Sequence, residues 1–367
     1  MSTDQVKIQS ELTKFVRINT IHGLSLFLID MAMFIIFIYG VILLPDIWMK
    51  LIASIGAGIK LSNLTTIAHD AAHNSLTNHR VLNKVIAIIS LLPGLFNYRL
   101  WVYNHHQLHH PMTNLAFPDP IPRDAYTPYS KEEFDNLSTF DQWKERFYRS
   151  PSFFGFGIYF IIERWFKVML FPRYHMPKKI ITSSWLHFAL VAFYFTGFLV
   201  FLSCSPLYSN TGPLVSILLG FFVPFFVSKC LTGFTLYVQH THESVAWFNR
   251  SYGIHEKKPD SLRQEYVSVQ VRFPEWFSIL VHHVYDHGAH HVCPAIPCYK
   301  LAPAQDHLNK LMGERAVTQA FSFSWLLKTM KKCKLYDYEN HCWLDFKGYP
   351  TTDAALASGE MKYARAA

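Results

Sequence analysis

Charge is scarce in this sequence. Asp, Glu, Lys and Arg make up 16% of its 367 residues, against a usual share of about 25%. Half the residues are hydrophobic, 16% are aromatic and the mean hydropathy is positive, which excludes a disordered chain and argues against an ordinary soluble one. Cysteine is also sparse. The six (Cys204, Cys230, Cys293, Cys298, Cys333, Cys342) form no Cys-x-x-Cys pair, so neither a zinc ribbon nor a disulfide framework is expected. There is no His-Glu-x-x-His of the zinc hydrolases, no Gly-x-Gly-x-x-Gly nucleotide fingerprint and no haem-binding His-Pro-Gly-Gly. The soluble carboxylate di-iron bundles carry Glu-x-x-His, and that is missing too. The formal charge is +8, but no basic stripe interleaved with stacking aromatics occurs, so nucleic acid is not an expected partner. Those cations suit membrane flanks facing anionic lipid. No small-residue cleavage site follows the first apolar run, so a cleaved signal peptide is not expected.

What is present is a set of long apolar runs. Residues 24–44 contain one charge, Asp30, and are long enough to cross a bilayer. Pro45-Asp46 turns the chain into residues 47–68, which carry Lys60. Residues 180–202 and 213–238 repeat this hairpin, with Lys229 in the last run. The shorter stretch 81–96 suits a buried or re-entrant helix. Residues 153–171, interrupted by Glu163, Arg164 and Lys167, suit an amphipathic helix lying at the interface. The connection 203–212 has no Lys or Arg and marks the outer side, which leaves both termini inside. The expected fold is an all-α membrane protein: four transmembrane helices in two hairpins, interfacial helices and a cytosolic histidine-rich cap. It forms one integral-membrane domain over 1–367, with a core at about 66–301 and tails at 1–20 and 353–367.

Most of the 20 histidines crowd into four windows, all on the cytosolic side in this topology. His69 and His73 stand at i, i+4. His106, His109 and His110, and again His287, His290 and His291, stand at i, i+3, i+4, a spacing that gathers three rings on one helical face. His240 and His242 end the last apolar run. These are too many imidazoles for one metal and divide over two ions at about four or five each. Imidazole suits iron, zinc, copper or nickel, so spacing does not name the metal.

The ordered pieces His69-Asp70-Ala71-Ala72-His73, His106-Gln107-Leu108-His109-His110-Pro111, Gln239-His240-Thr241-His242-Glu243 and His287-Gly288-Ala289-His290-His291 with Pro294-Ala295-Ile296-Pro297 resemble the membrane fatty acid desaturases of the acyl-lipid omega-6/omega-3 branch. Ala71 and Ala72 stand where that family's first box carries Cys-Gly, without touching a ligand position. The resemblance implies a non-haem centre of two Fe ions held by His69, His73, His106, His109, His110, His240, His287, His290 and His291, with His242 as the alternative to His240. It also implies O2 as oxidant, a fatty acyl lipid as substrate and two electrons per double bond from a separate ferredoxin or cytochrome. A di-iron hydroxylase or carotenoid oxygenase is the related alternative, and a membrane zinc hydrolase the more distant one. His105, His282 and His283 are expected to pack or to support ligands. Asp70, Asn74, Asn114, Gln239 and Asp286 are candidates for orienting imidazoles. His79 is expected to cap a helix or lie at the surface, and His22, His175, His187, His255, His307 and His341 to be ordinary.

Overall fold

Two long helical hairpins carry the apolar runs. In the computed structural model, which describes residues 3–116, 123–173, 176–207, 209–249 and 264–355, four helices are long and apolar enough to cross a membrane: Thr20–Leu43, Ile47–Ala72, Lys178–Ser203 and Pro213–His240. They fall where the sequence predicts them. The remaining structure is mostly helical, with three short two-stranded pairings. His175, His255 and residues 356–367, most of the expected C-terminal tail, lie outside the described residues.

The chain packs as two compact units, each assembled from separated stretches. A span unit comprises Ile18–Asn104 and Phe160–Gly233, and a histidine unit comprises Met1–Arg17, His105–Tyr159 and Phe234–Ala367.

In the span unit, the first span starts at Asn19, whose side chain accepts from the His22 N–H. It packs on the second span through Phe34, Ile38, Ala57, Leu61 and Leu64. Small residues allow close approach: a Cβ on Gly58 would meet the Val227 Cβ at 2.6 Å, so alanine there would push the second and fourth spans apart. Outward-facing Leu28, Ile29, Ile36, Ile52, Phe193 and Val200 are exposed, as helices facing lipid require.

Three lysines buried or nearly buried in this apolar setting are each satisfied. Lys50 Nζ donates to the carbonyls of Val41 and Ile42 at 3.0 and 3.2 Å and to Thr211 Oγ1 at 2.6 Å. It therefore offsets the negative end of the first span and ties both hairpin turns together. Lys60 pairs with Asp30 at 2.7 Å. Lys229 Nζ donates to Gly94 O at 2.8 Å and lies 3.5 Å from the centre of the Phe96 ring. The shorter apolar run forms the helix Arg80–Leu91, which buries Ile86, Ala87 and Leu91.

Two helices take a π-helical turn shortly before a proline. Pro224 lacks an N–H and crowds the carbonyl four residues earlier. The fourth span absorbs this as a π-helical segment, Leu218–Phe222, and then continues as Val223–His240. Pro111 sits in a short helical turn, His110–Met112, that follows the π-helical Asn104–His109, and the helix stops there. The expected interfacial helix is the helix Phe153–Tyr159 followed by a π-helical Phe160–Leu170. On that segment Glu163 and Lys167 pair at 2.7 Å, while Arg164 is buried and donates to Asn104 Oδ1 at 2.5 Å.

The histidine unit has an aromatic core that includes Tyr126, Tyr148, Phe156, Tyr159, Tyr237 and Tyr285. Strand Gln270–Arg272 pairs in parallel with Thr318–Ala320, and Leu335–Asp337 pairs antiparallel with Cys342–Leu344. The six cysteines are free thiols.

The Lys60–Asp30 pair tests how the first hairpin is fastened. Lys60→Met removes the ammonium partner of a buried carboxylate and is expected to cost about 3 kcal/mol. Asp30→Leu combined with Lys60→Met is expected to recover most of that loss. Thermal unfolding of the detergent-solubilised protein checks it, and a Lys60→Met variant melting with wild type would refute the clamp.

Candidate metal centre

Four imidazoles converge inside the histidine unit. His240 closes the fourth span, His109 closes the π-helical segment, and His287 and His291 lie one turn apart on the helix His287–Val292. All four are buried, and one ring nitrogen from each lies within 4.8 Å of the others. His287 Nε2 and His291 Nε2 are 2.9 Å apart.

The outer nitrogens explain the orientation. His240 Nδ1 lies 2.9 Å from the Val267 carbonyl. A carbonyl only accepts, so Nδ1 carries the proton and Nε2 presents a lone pair. That Nε2 is buried and has no hydrogen-bond partner among the described residues. His109 Nδ1 is held at 2.6 Å by Asp124 Oδ2, and His291 Nδ1 at 3.0 Å by Gln264 Oε1. Burial, reinforced by His287, His110, His109 and His240, pushes the His291 pKa well below its usual value. A neutral imidazole pinned at Nδ1 is the form that ligates a metal through Nε2. The orphaned His240 Nε2 at the centre of this set shows that the residues present fit a cation, and an all-imidazole set suits iron, zinc, copper or nickel.

A second group lies in the same unit. His110 Nε2 is 3.1 Å from His105 Nε2 and 3.0 Å from His290 Nε2. His106, favoured by helical spacing, belongs to neither group of converging rings among the described residues. His105 and His106 fall on the π-helical segment Asn104–His109, where an i, i+3, i+4 count that assumes an α-helix does not describe which rings share a side. In the span unit, His69 and His73 end the second span with ring centroids 4.9 Å apart, and Asp70 Oδ1 holds His69 Nδ1 at 3.0 Å.

The remaining histidines have other work. His242 Nδ1 accepts the Ser244 N–H at 3.0 Å and its ring faces Trp325. It is therefore His240, not His242, that joins the buried set. His282 and His283 adopt positive φ of 56° and 53° and form the turn before the closing helix, where His283 lies 3.4 Å from Asp286. His79 is exposed at the N-cap position of Arg80–Leu91, His307 meets Glu11 at 3.1 Å and His341 meets the Trp247 carbonyl at 3.0 Å.

Of the proposed orienting residues, Asp70 takes that role. Asn74 and Asn114 instead occupy left-handed turns at φ 59° and 62°. Gln239 donates to the Val284 carbonyl, and Asp286 accepts from Gln270. Asp124, Gln264 and the Val267 carbonyl were missed: they are far from the histidine windows in sequence, and no local spacing signals them.

Residues 22–323 match the family described as fatty acid desaturase. The chain belongs to the fatty acid desaturase family. Among curated relatives it is 24% identical over 299 residues to the omega-6 fatty acid desaturase, chloroplastic, of Arabidopsis thaliana, covering 77% of this chain and 58% of that protein. To its Glycine max counterpart it is 24% identical over 328 residues, covering 87% and 67%. It is 25% identical over 301 residues to the sn-1 oleoyl-lipid 12-desaturase of Anabaena variabilis, covering 80% and 77%. The chain thus spans less than two thirds of the Arabidopsis relative's length. The family match takes in every histidine window named above.

Two paired substitutions separate ligands from neighbours. His240→Ala is expected to weaken metal binding by more than ~10-fold, a loss at least as large as disturbing a ligand's supporting partner, while His242→Ala leaves it intact. His105→Ala is expected to weaken binding more than His106→Ala. Metal titration of the purified protein checks both, and the reverse order in either pair would refute the assignment.

Proposed function

We propose that this protein is a membrane-bound fatty acyl desaturase that introduces a double bond into a lipid-borne acyl chain. The reading takes one O2, two electrons and two protons per double bond, and releases two waters. The observation that carries it is the buried, converging His109, His240, His287 and His291 set in a chain of the desaturase family with four apolar spans.

We assign one iron to that set. A second iron is assigned to His105, His110 and His290, joined by His69 and His73. For those last two the support is the order of the boxes in the sequence and the family they belong to. When bound, the two irons would activate O2, the oxidant, for removal of hydrogen from adjacent methylenes.

The protein's own contribution is positional. Val267, Asp124 and Gln264 fix the rings of His240, His109 and His291. Burial keeps water from these nitrogens and disfavours protonation of His291. The spans offer an apolar medium from which an acyl chain can be held with chosen carbons presented. The lysine- and arginine-free connection at residues 203–212 supports an arrangement with the histidine windows on the cytosolic side. A separate ferredoxin or cytochrome is the proposed electron donor there.

Fatty-acid profiling in a host without polyunsaturated lipids tests the reading. Wild type is expected to yield a new double bond, and His290→Ala to abolish it. A hydroxylated or ketone product would move the assignment to the related oxygenases, and identical profiles for the two would refute catalysis by this centre.

A further inference from the structure

Asp124, which holds His109, sits on a turn that ordinary residues resist. The Thr127 N–H donates to the Asp124 carbonyl at 2.7 Å, and the two residues between have positive φ, 43° at Ala125 and 60° at Tyr126. Such a turn normally takes glycine or asparagine at both positions. Here an alanine and a tyrosine adopt it, and strain of that kind persists only where the surroundings over-determine it.

The surroundings do so. The Tyr126 N–H donates to Tyr159 Oη at 2.9 Å, and the two rings stack with centroids 3.7 Å apart. The Tyr126 carbonyl accepts from Arg149 Nη2 at 2.8 Å. Arg149 is itself buried and paired with Glu145, and it also reaches the Cys333 carbonyl. The Thr127 hydroxyl adds a further bond to the Asp124 carbonyl. A strained two-residue turn is therefore fastened at its N–H, its carbonyl and its ring, and the residue that opens it carries the carboxylate that meets His109 Nδ1.

We propose that Asp124 is a positioning residue for the metal ligand His109, and that the turn clamped by Arg149 and Tyr159 exists to present it. This rests on the metal-centre reading above. The buried carboxylate fixes the Nδ1–H tautomer of His109, aims Nε2 at His240, His287 and His291, and raises the basicity of the ligating nitrogen.

The test is titration of cobalt(II) and of ferrous iron into metal-stripped full-length protein in detergent, followed by stoichiometry and by the visible absorption of the cobalt form. Asp124→Asn keeps an acceptor for Nδ1–H but removes the charge; it is expected to weaken one ion by about 10-fold and to shift the cobalt bands, leaving the other ion unchanged. Asp124→Ala removes the acceptor as well and is expected to weaken that ion by up to ~100-fold. Ala125→Gly, which suits the same turn, is expected to bind both ions as wild type does. Wild-type affinity and an unchanged cobalt spectrum in Asp124→Asn would overturn the positioning role while leaving the centre itself standing. A wild-type protein that binds neither metal would overturn the centre, and this inference with it.

Discussion

A buried imidazole has two nitrogens to satisfy and no water to satisfy them with. In the histidine unit that constraint is met asymmetrically: one nitrogen of a ring finds a protein acceptor and the other is left facing further imidazoles. The Val267 carbonyl, the Asp124 carboxylate and the Gln264 amide each accept from one ring. Rings so pinned turn their other nitrogens towards one another, an arrangement that a cation would stabilise. The same constraint explains why the site needs distant chain segments. A helix can put two or three imidazoles on one face, but it cannot supply acceptors behind each of them, because its own carbonyls are already used.

Backbone register then decides which imidazoles converge. Between Asn104 and His109 the chain takes a π-helical turn just before Pro111, and the fourth span does the same just before Pro224. Each proline would clash with the carbonyl four residues back in an unbroken α-helix, and inserting one residue into the turn relieves the clash while keeping the helix going. In the fourth span the result is a helix that still reaches His240. In the second histidine window the same kind of turn precedes Pro111, and there His105, not His106, lies with His110 and His290 among the described residues.

That difference marks the limit of what the sequence discloses. The four spans were legible because apolar length is a property of contiguous residues, and runs such as 24–44 and 180–202 carry it without reference to anything else. His109, His240, His287 and His291 were legible for a related reason: histidine is rarely clustered at helical spacing in apolar surroundings without a metal to bind. His105 was not, because i, i+3, i+4 counting assumes an α-helix, and the effect of Pro111 on the preceding turn could be read as an ending as easily as a register shift. The supporting acceptors were invisible for a different reason. Gln264 and Asp124 become partners of His291 and His109 only through tertiary packing, and nothing near them in the chain announces it.

Buried charge is handled in two ways along the same chain, and the contrast bears on function. In the spans, Lys50 is satisfied by two carbonyls and a hydroxyl, Lys60 by Asp30, and Lys229 by the Gly94 carbonyl and an aromatic face. These contacts close on themselves: each ammonium is hydrogen-bonded or paired where it stands, so it fastens helices. Around His109, His240 and His291 the polar partners lie on the outside of the rings, and the inward nitrogens are left open to one another. Among those inward nitrogens, His240 Nε2 is buried without a hydrogen-bond partner among the described residues. An open inward side of this kind suits a cation, and the strained turn behind His109 is consistent with a geometry held by its surroundings and not by local preference.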